Sequence, residues 1–360
     1  MKKLQHNILD WFQEHARDLP WRTTYSPYHV WISEIMLQQT QMDRVVDYFN
    51  RWISRFPGIA SVASADEEEV LKLWEGLGYY ARVRNIMRTA RILMTEHSGQ
   101  IPADYVKLLR LPGIGNYTAG AIMSIAFNKE YPLVDANIER IFARLFNLDN
   151  PVKEKNTHSF IWRKAREALP QGRPREFNQA LMELGALVCI SRNPRCSICP
   201  IRNECKAYRL SLVSERPVLQ TPPKTIFIEM ATGILEHDGR ILIQKRKSKG
   251  VWANLWEFPG GRLEPGETPE MALVREYLEE TELAVDSLQK ITTVHHSYMN
   301  YRVTLHCYFC SLTDGKFEPV LHGAQEYRWI EPDELLHYAF PSGHRKLIAH
   351  LRKESVFLSL

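Results

Sequence analysis

Four cysteines fall within seventeen residues, Cys189, Cys196, Cys199 and Cys205, in the spacing C-x6-C-x2-C-x5-C. Four thiolates this close suit a closed metal centre, either tetrahedral zinc or a [4Fe–4S] cluster. Such a centre has no open coordination position, so it fixes a loop rather than reacting. Unliganded buried thiols are the plainer alternative. Arg192, Arg195 and Arg202 sit in the same loop, where they could face phosphate. A second set is acidic. Glu276, Glu279 and Glu280 stand at i, i+3 and i+4, so one helix face carries three carboxylates. Mg²⁺ or Mn²⁺ would relieve their repulsion, and a solvated acidic face would also account for them. Two further carboxylates lie in the first half. Glu34 is set in the apolar run ISEIMLQQT, where burial would raise its pKa and keep it available as an acid. Asp135 opens VDANIER, where a helix N-cap is the simplest reading. In LPGIGNYTAGAIMSIAF, Gly113 and Gly115 permit close backbone approach, and N–H groups of the helix start that follows can bind phosphate.

The elements that must carry these groups divide the chain in two. Residues 1–210 read as helical throughout. The N-terminal run has Leu4, Ile8, Trp11, Phe12 and His15 at helical spacing, which makes it an amphipathic helix rather than a signal peptide. Ser64-x-x-Glu67 reads as a capping box, with Val70, Leu71 and Trp74 on one face before Gly76 and Gly78 end the helix. Arg82 to Met94 is another helical run. Pro217, Pro222 and Pro223 mark a linker over 211–224. Residues 225–360 read as α+β: IFIEMATGILEHDGRILIQKR forms two strands around Asp238-Gly239, RVTLHCYFCSL a later one, with a helix between. The 360 residues carry a net charge of +4 that is unevenly spread, with 31 Lys and Arg against 23 Asp and Glu over 1–224 and the remainder net acidic. A basic half suits a polyanion. No apolar run approaches the ~18 residues of a membrane span. Thiols used as ligands fit a reducing, cytoplasmic compartment.

Glycine hairpin, VDANIERIFARL and the cysteine spacing together resemble the helix-hairpin-helix DNA glycosylases of the endonuclease III superfamily. The resemblance implies an all-helical domain whose four cysteines hold a [4Fe–4S] cluster. WISEIMLQQTQ, WEGLGYYARVRN, LPGIGNYTAGA and VDANIER are similar to the adenine DNA glycosylase (MutY) family over nearly the whole of residues 1–210. That family removes adenine mispaired with 8-oxoguanine or guanine in double-stranded DNA. By resemblance Glu34 protonates adenine N7, Asp135 stabilises the oxocarbenium ion at the sugar, and Asn137 supports Asp135. Tyr117 stands where related bifunctional enzymes carry the lysine that forms a Schiff base. A phenol cannot form an imine, so base removal without strand cleavage is expected. The resemblance further assigns DNA contacts to Arg22, Leu37, Gln38, Gln39, Gly113, Gly115 and Thr118, and a wedge role beside the oxidised guanine to Tyr79. Trp21 matches a place near the adenine pocket. We expect a monomer acting on the bacterial nucleoid.

GRLEPGETPEMALVREYLEETEL resembles the Nudix box, with Gly261, Glu267, Arg275, Glu276, Glu279 and Glu280 in their places. This implies an α/β/α sandwich. Gly260 and Glu326 match further metal contacts of the family. In adenine glycosylases such a domain recognises 8-oxoguanine, and HHSYMNY (Tyr298, Met299) and His344 match the segments that do so. Retention of the glutamates leaves hydrolysis of 8-oxo-dGTP or a related nucleotide as an alternative activity. Glu282 and Leu283 replace the Gly-apolar end of the box, which leaves the helix terminus open. A bifunctional lyase is disfavoured by Tyr117, and an inactive mismatch-binding protein by the presence of Glu34 and Asp135.

Overall fold

The computed structural model describes residues 1–221, 223–313 and 315–354. Pro222, one of the linker prolines, lies outside them. The chain forms two compact units, one of residues 1–65 and 81–221, the other of 66–80 and 222–360. No helix among the described residues is long and apolar enough to cross a membrane.

The first unit is helical. Helix Lys2–His15 buries Leu4, Ile8, Trp11 and Phe12, four of the five residues that the spacing places on one face, together with Leu9. His15 is exposed and stacks on Trp11. Ile8, Phe12, Val30, Ile138, Phe142, Phe177 and Leu184 share one core, to which helices Pro27–Leu37, Ala136–Phe146 and Pro174–Leu187 contribute, and the last of these packs on the N-terminal helix. Helix Pro27–Leu37 buries eight of its eleven residues, Glu34 included, which explains its nearly unbroken apolar sequence. Helix Tyr105–Leu109 ends in a turn over Pro112–Gly115 that leads into helix Asn116–Ala121 and the π-helical turn Ile122–Ala126. Gly113 has φ +77°, and a Cβ there would meet Asn85 Cβ at 2.8 Å, so only glycine closes this hairpin without displacement. Residues 211–221, expected as linker, belong to the first unit, where Arg144 donates to the carbonyls of Val213 and Arg216.

In the second unit, strands Trp256–Glu257, Arg240–Arg246, Ile226–His237, Tyr301–Leu312 and Val285–Tyr298 lie side by side in that order. The first hairpin turns at Asp238 and Gly239, both at positive φ, as the Asp-Gly pair requires. Alternation along Ile226–His237 sends Ala231 and Leu235 to one face, against Leu273 and Tyr277 of helix Pro269–Thr281. Ile234 goes to the other, against Leu347 and Leu351 of helix Ser342–Lys353. Helices therefore cover both faces of the sheet, as the sandwich expectation requires. Helix Glu67–Trp74, counted in this unit, buries Val70, Leu71 and Trp74, but its cap differs from the sequence reading. Asp66, not Ser64, accepts from Glu68 N, while Ser64 Oγ donates back to Ala60 O at the end of the preceding turn. A carboxylate two residues before the amide outcompetes the hydroxyl.

Candidate active site

Glu34 projects from helix Pro27–Leu37 into a cavity of about 520 Å³ in the first unit, lined also by Arg22, Leu37, Gln38, Gln39, Tyr117, Asp135 and Asn137. Residues from four separated segments of the sequence thus meet at one place. Glu34 is 3% exposed. Tyr117 Oη donates to its Oε2. Burial pushes the Glu34 carboxyl up to about 7; the nearby Asp135 charge acts the same way, while Tyr117 and Arg22 oppose it. Tyr117 is itself pushed far up by burial and by the two carboxylates, so it stays a neutral donor.

Asp135 is both N-cap and site residue. Its Oδ1 accepts from Ile138 N at 2.8 Å, opening helix Ala136–Phe146, and its Oδ2 accepts from Asn137 Nδ2 at 2.8 Å. Burial raises its pKa, and those two hydrogen bonds pull the other way. Asn137 is held in turn: its Oδ1 accepts from Arg140 Nη2 at 2.7 Å, and the same nitrogen reaches Gly185 O at 2.8 Å. Helix Pro174–Leu187 approaches so closely here that a Cβ on Gly185 would stand 2.4 Å from Asn137 Cβ. The result is a carboxyl that takes up and releases a proton near neutral pH, beside a second, hydrogen-bonded carboxylate. That pairing can supply an acid and an anion to one reaction.

The end of helix Pro27–Leu37 is fixed by Arg82 Nη1, which donates to the carbonyls of Ile35 and Gln38, each at 2.7 Å. Gln39 follows with φ +58° and is exposed at the rim. Gln38 Nε2 reaches Thr118 Oγ1 at 3.5 Å, and Thr118 is buried, so it supports Gln38 rather than the surface. Gly113 and Gly115 are exposed in the hairpin. No lysine lines the cavity, and Lys129 Nζ is turned to Ala103 O. One residue has no motif to mark it. Glu183, 1% exposed, accepts from Arg17 Nη2 at 2.5 Å and Arg22 Nη1 at 2.9 Å. Burial opposes its charge, but the two arginines hold its pKa below the usual range. It fixes Arg22 at the cavity wall.

The four cysteines line one apolar cavity with Ile141, Leu145, Leu184 and Val188. Burial pushes the Cys199 thiol up to about 12, and the other three thiols add to the effect. Among the described residues no three His, Cys, Asp or Glu side chains are grouped to hold a single metal ion. Four thiols lining one apolar cavity suit a closed metal centre, the arrangement that tetrahedral zinc and an iron–sulfur cluster both need. The buried Arg144 guanidinium reaches Cys189 Sγ at 3.4 Å and the carbonyls of Ile190 and Ser191 at 2.7 and 3.0 Å, which fixes the loop from inside.

The second unit's acidic residues are occupied by protein partners. One nitrogen of Arg275 bridges Glu276 at 3.2 Å and Glu279 at 3.1 Å, and its Nε takes Glu267 at 2.7 Å. Glu280 accepts from Gln244 Nε2 at 2.7 Å and Gly260 N at 3.5 Å, and Glu326 pairs with Arg328 at 2.6 Å. Among the described residues these carboxylates are not grouped about a single point as metal ligands. The helix ends at Thr281 with Glu282 at φ +55°, the conformation a glycine would otherwise take. Glu282's carboxylate is held there by Lys316 and His322. A smaller cavity, about 180 Å³, is lined by Tyr79, Trp252, His296, Tyr298 and Met299. Tyr79 and Tyr298 therefore come together, with ring centroids 5.8 Å apart. His344 is turned into the core instead, stacked on Phe258 with its Nδ1 accepting from Phe258 N.

Residues 32–167 match the HhH-GPD superfamily of base excision DNA repair proteins, and residues 230–350 match the NUDIX domain. The adenine DNA glycosylase of Buchnera aphidicola subsp. Baizongia pistaciae (strain Bp) is 38% identical over 257 residues, covering 70% of this chain and 72% of that protein. The adenine DNA glycosylase of Mus musculus is 32% identical over 397 residues, covering 95% of this chain and 76% of its own. Among solved structures, a thermostable thymine-DNA glycosylase aligns with a TM-score of 0.54 at 30% identity, over 58% of this chain and 96% of that one. A non-covalent endonuclease III–DNA complex shares the fold, with a TM-score of 0.51 at 20% identity over 59% of this chain and 96% of that one.

Proposed function

The chain belongs to the adenine DNA glycosylase family, and from that premise we propose that Glu34 and Asp135 together remove adenine paired with 8-oxoguanine, or with guanine, in double-stranded DNA. It is a base excision repair glycosylase. The observation that carries the site reading is the buried Glu34 carboxyl, with a pKa near 7, facing Asp135 in one cavity. Adenine must leave the helix to reach it, which costs stacking and pairing energy. Glu34 gives its proton to N7 of the extruded base, which turns adenine into a better leaving group. As the glycosidic bond breaks, positive charge grows on the sugar and the Asp135 carboxylate stabilises it; water then adds to C1′ and gives up a proton that restores the Glu34 acid, leaving an abasic site. Asn137 holds Asp135 in place, and Tyr117 orients Glu34 by its hydrogen bond. Arg22, Leu37, Gln38 and Gln39 stand around the base at the cavity wall. With tyrosine at position 117 and no lysine in the lining, no imine forms, and the strand stays intact after base loss.

Cys189, Cys196, Cys199 and Cys205 would hold a [4Fe–4S] cluster, a reading supported by their convergence on one cavity. When bound, the cluster supplies a rigid anchor for the loop that carries Arg192, Arg195 and Arg202 to phosphate. The second unit reads 8-oxoguanine through the Tyr79, Tyr298 and Met299 cavity, a reading supported by their convergence. The test is incubation with a duplex holding one A:8-oxoguanine pair. Free adenine should appear, and the strand should break only after alkali. Intact adenine after long incubation would defeat the proposal, and cleavage without alkali at a comparable rate would defeat its monofunctional part.

A further inference from the structure

The connection between helices Lys2–His15 and Pro27–Leu37 walls the active-site cavity, with Arg17, Leu19, Trp21 and Arg22 all in the lining. One buried group ties it down. Glu183, on helix Pro174–Leu187, uses both of its carboxylate oxygens. Oε1 accepts from Arg17 N at 3.1 Å and from Arg22 Nη1 at 2.9 Å, and Oε2 accepts from Arg17 Nη2 at 2.5 Å. Arg22 Nη1 also donates to Arg17 O at 3.0 Å, and its guanidinium lies over the Phe12 ring, 5.6 Å from the centroid. Arg22 is thus held from three sides, with only 12% of its side chain exposed. Two cations against one anion leave a positive excess in this wall.

Glu34 shares the cavity with that excess. Burial and the Asp135 charge both weaken Glu34 as an acid, while the Tyr117 hydrogen bond and the Arg22 charge oppose them. A general acid serves best when its strength matches the operating pH. Arg22 contributes only while it stays close, because a charge that swings into water is screened. We infer that Glu183 is a positioning residue of the reaction: by pinning Arg22, with Arg17 beside it, to the cavity wall, it keeps a cation next to Glu34 and so sets the pH range over which adenine is released. The same helix presses Gly185, two residues on, against Asn137, so one helix places both members of the carboxyl pair. The inference rests on reading Glu34 as the acid.

The experiment follows single-turnover adenine release by the full chain from an A:8-oxoguanine duplex, from about pH 5.5 to about pH 9.5. Glu183→Gln keeps the shape and an acceptor but frees Arg22 from its ion pair, and the alkaline limb should move up by about one pH unit. Glu183→Asp keeps the charge one methylene further back and should move the limb the same way by less. Arg22→Ala should raise the limb by itself, and adding Glu183→Gln to it should raise it no further. An unmoved limb in Glu183→Gln overturns the inference in favour of a purely structural carboxylate, and a lowered one in favour of a direct effect of its charge on Glu34. A further rise in the double variant overturns the route through Arg22. Thermal unfolding shows which variants are folded. If Glu183→Gln is not, the smaller shift in Glu183→Asp decides, and an unmoved limb there overturns the inference. A wild-type profile with no alkaline limb near pH 7, or the same limb surviving in Glu34→Gln, overturns the acid reading instead.

Discussion

Glu34 carries opposite demands from catalysis and stability. Its carboxyl is held near 7, while in the unfolded chain it would titrate near its ordinary 4.5. Between those values the folded protein keeps a proton that the unfolded chain has released, so stability falls as pH rises from about 4.5 and levels off above 7. Glu34→Gln removes that cost. It should stabilise the protein at pH 8 by on the order of 2–3 kcal/mol relative to wild type, with little difference at pH 4, as read by urea unfolding. Catalysis moves the other way, because the acid is lost as it ionises, so base release should decline above pH 7 in the wild type. Glu183 acts through others. Its salt bridges to Arg17 and Arg22 keep a cation close enough to temper Glu34. Glu34, Asp135 and Tyr117 are legible in the sequence because each sits in a run of several characteristic residues. Glu183 is not, because its meaning comes from Arg17, 166 positions away.

At the level of elements, two contacts set the geometry. Helix Pro174–Leu187 can lie against Asn137 only because residue 185 has no side chain. Gly185→Ala should push Asn137 off Asp135, costing about 1–3 kcal/mol of stability and slowing base release more than it weakens duplex binding. Thermal unfolding and single-turnover rates would check this. The acidic helix Pro269–Thr281 makes the opposite case. Its pattern suggests a metal site, yet Arg275 occupies Glu267, Glu276 and Glu279 with ion pairs. Mg²⁺ should therefore leave the unfolding temperature unchanged, and 8-oxo-dGTP with Mg²⁺ should yield no pyrophosphate. Helix boundaries were partly legible. Asp238-Gly239 marks its hairpin, whereas Ser64 suggests a cap that Asp66 provides, since sequence cannot rank two adjacent acceptors. Spacing alone also could not say that Glu282 would take a glycine's conformation.

For the whole molecule, the division between a helical half and an α+β half was visible in the change of periodicity and the linker prolines. Two parts of it were not. Residues 66–80 group with the second unit, and 211–221 with the first, because contacts far along the chain decide both. Charge follows the halves, with the basic excess in residues 1–224. Raising salt from about 50 to about 200 mM should weaken duplex binding at least roughly tenfold, measured by fluorescence anisotropy, for both mispairs alike. Discrimination between them should survive, since it depends on hydrogen bonds to the base rather than on phosphate. The central claim is that Glu34 protonates the departing adenine, and it meets its most direct test in single-turnover base release from an A:8-oxoguanine duplex by wild type and Glu34→Gln side by side. A loss of roughly 10³-fold or more, with duplex affinity unchanged, is the predicted result. Release by the glutamine variant within a few-fold of wild type would contradict it.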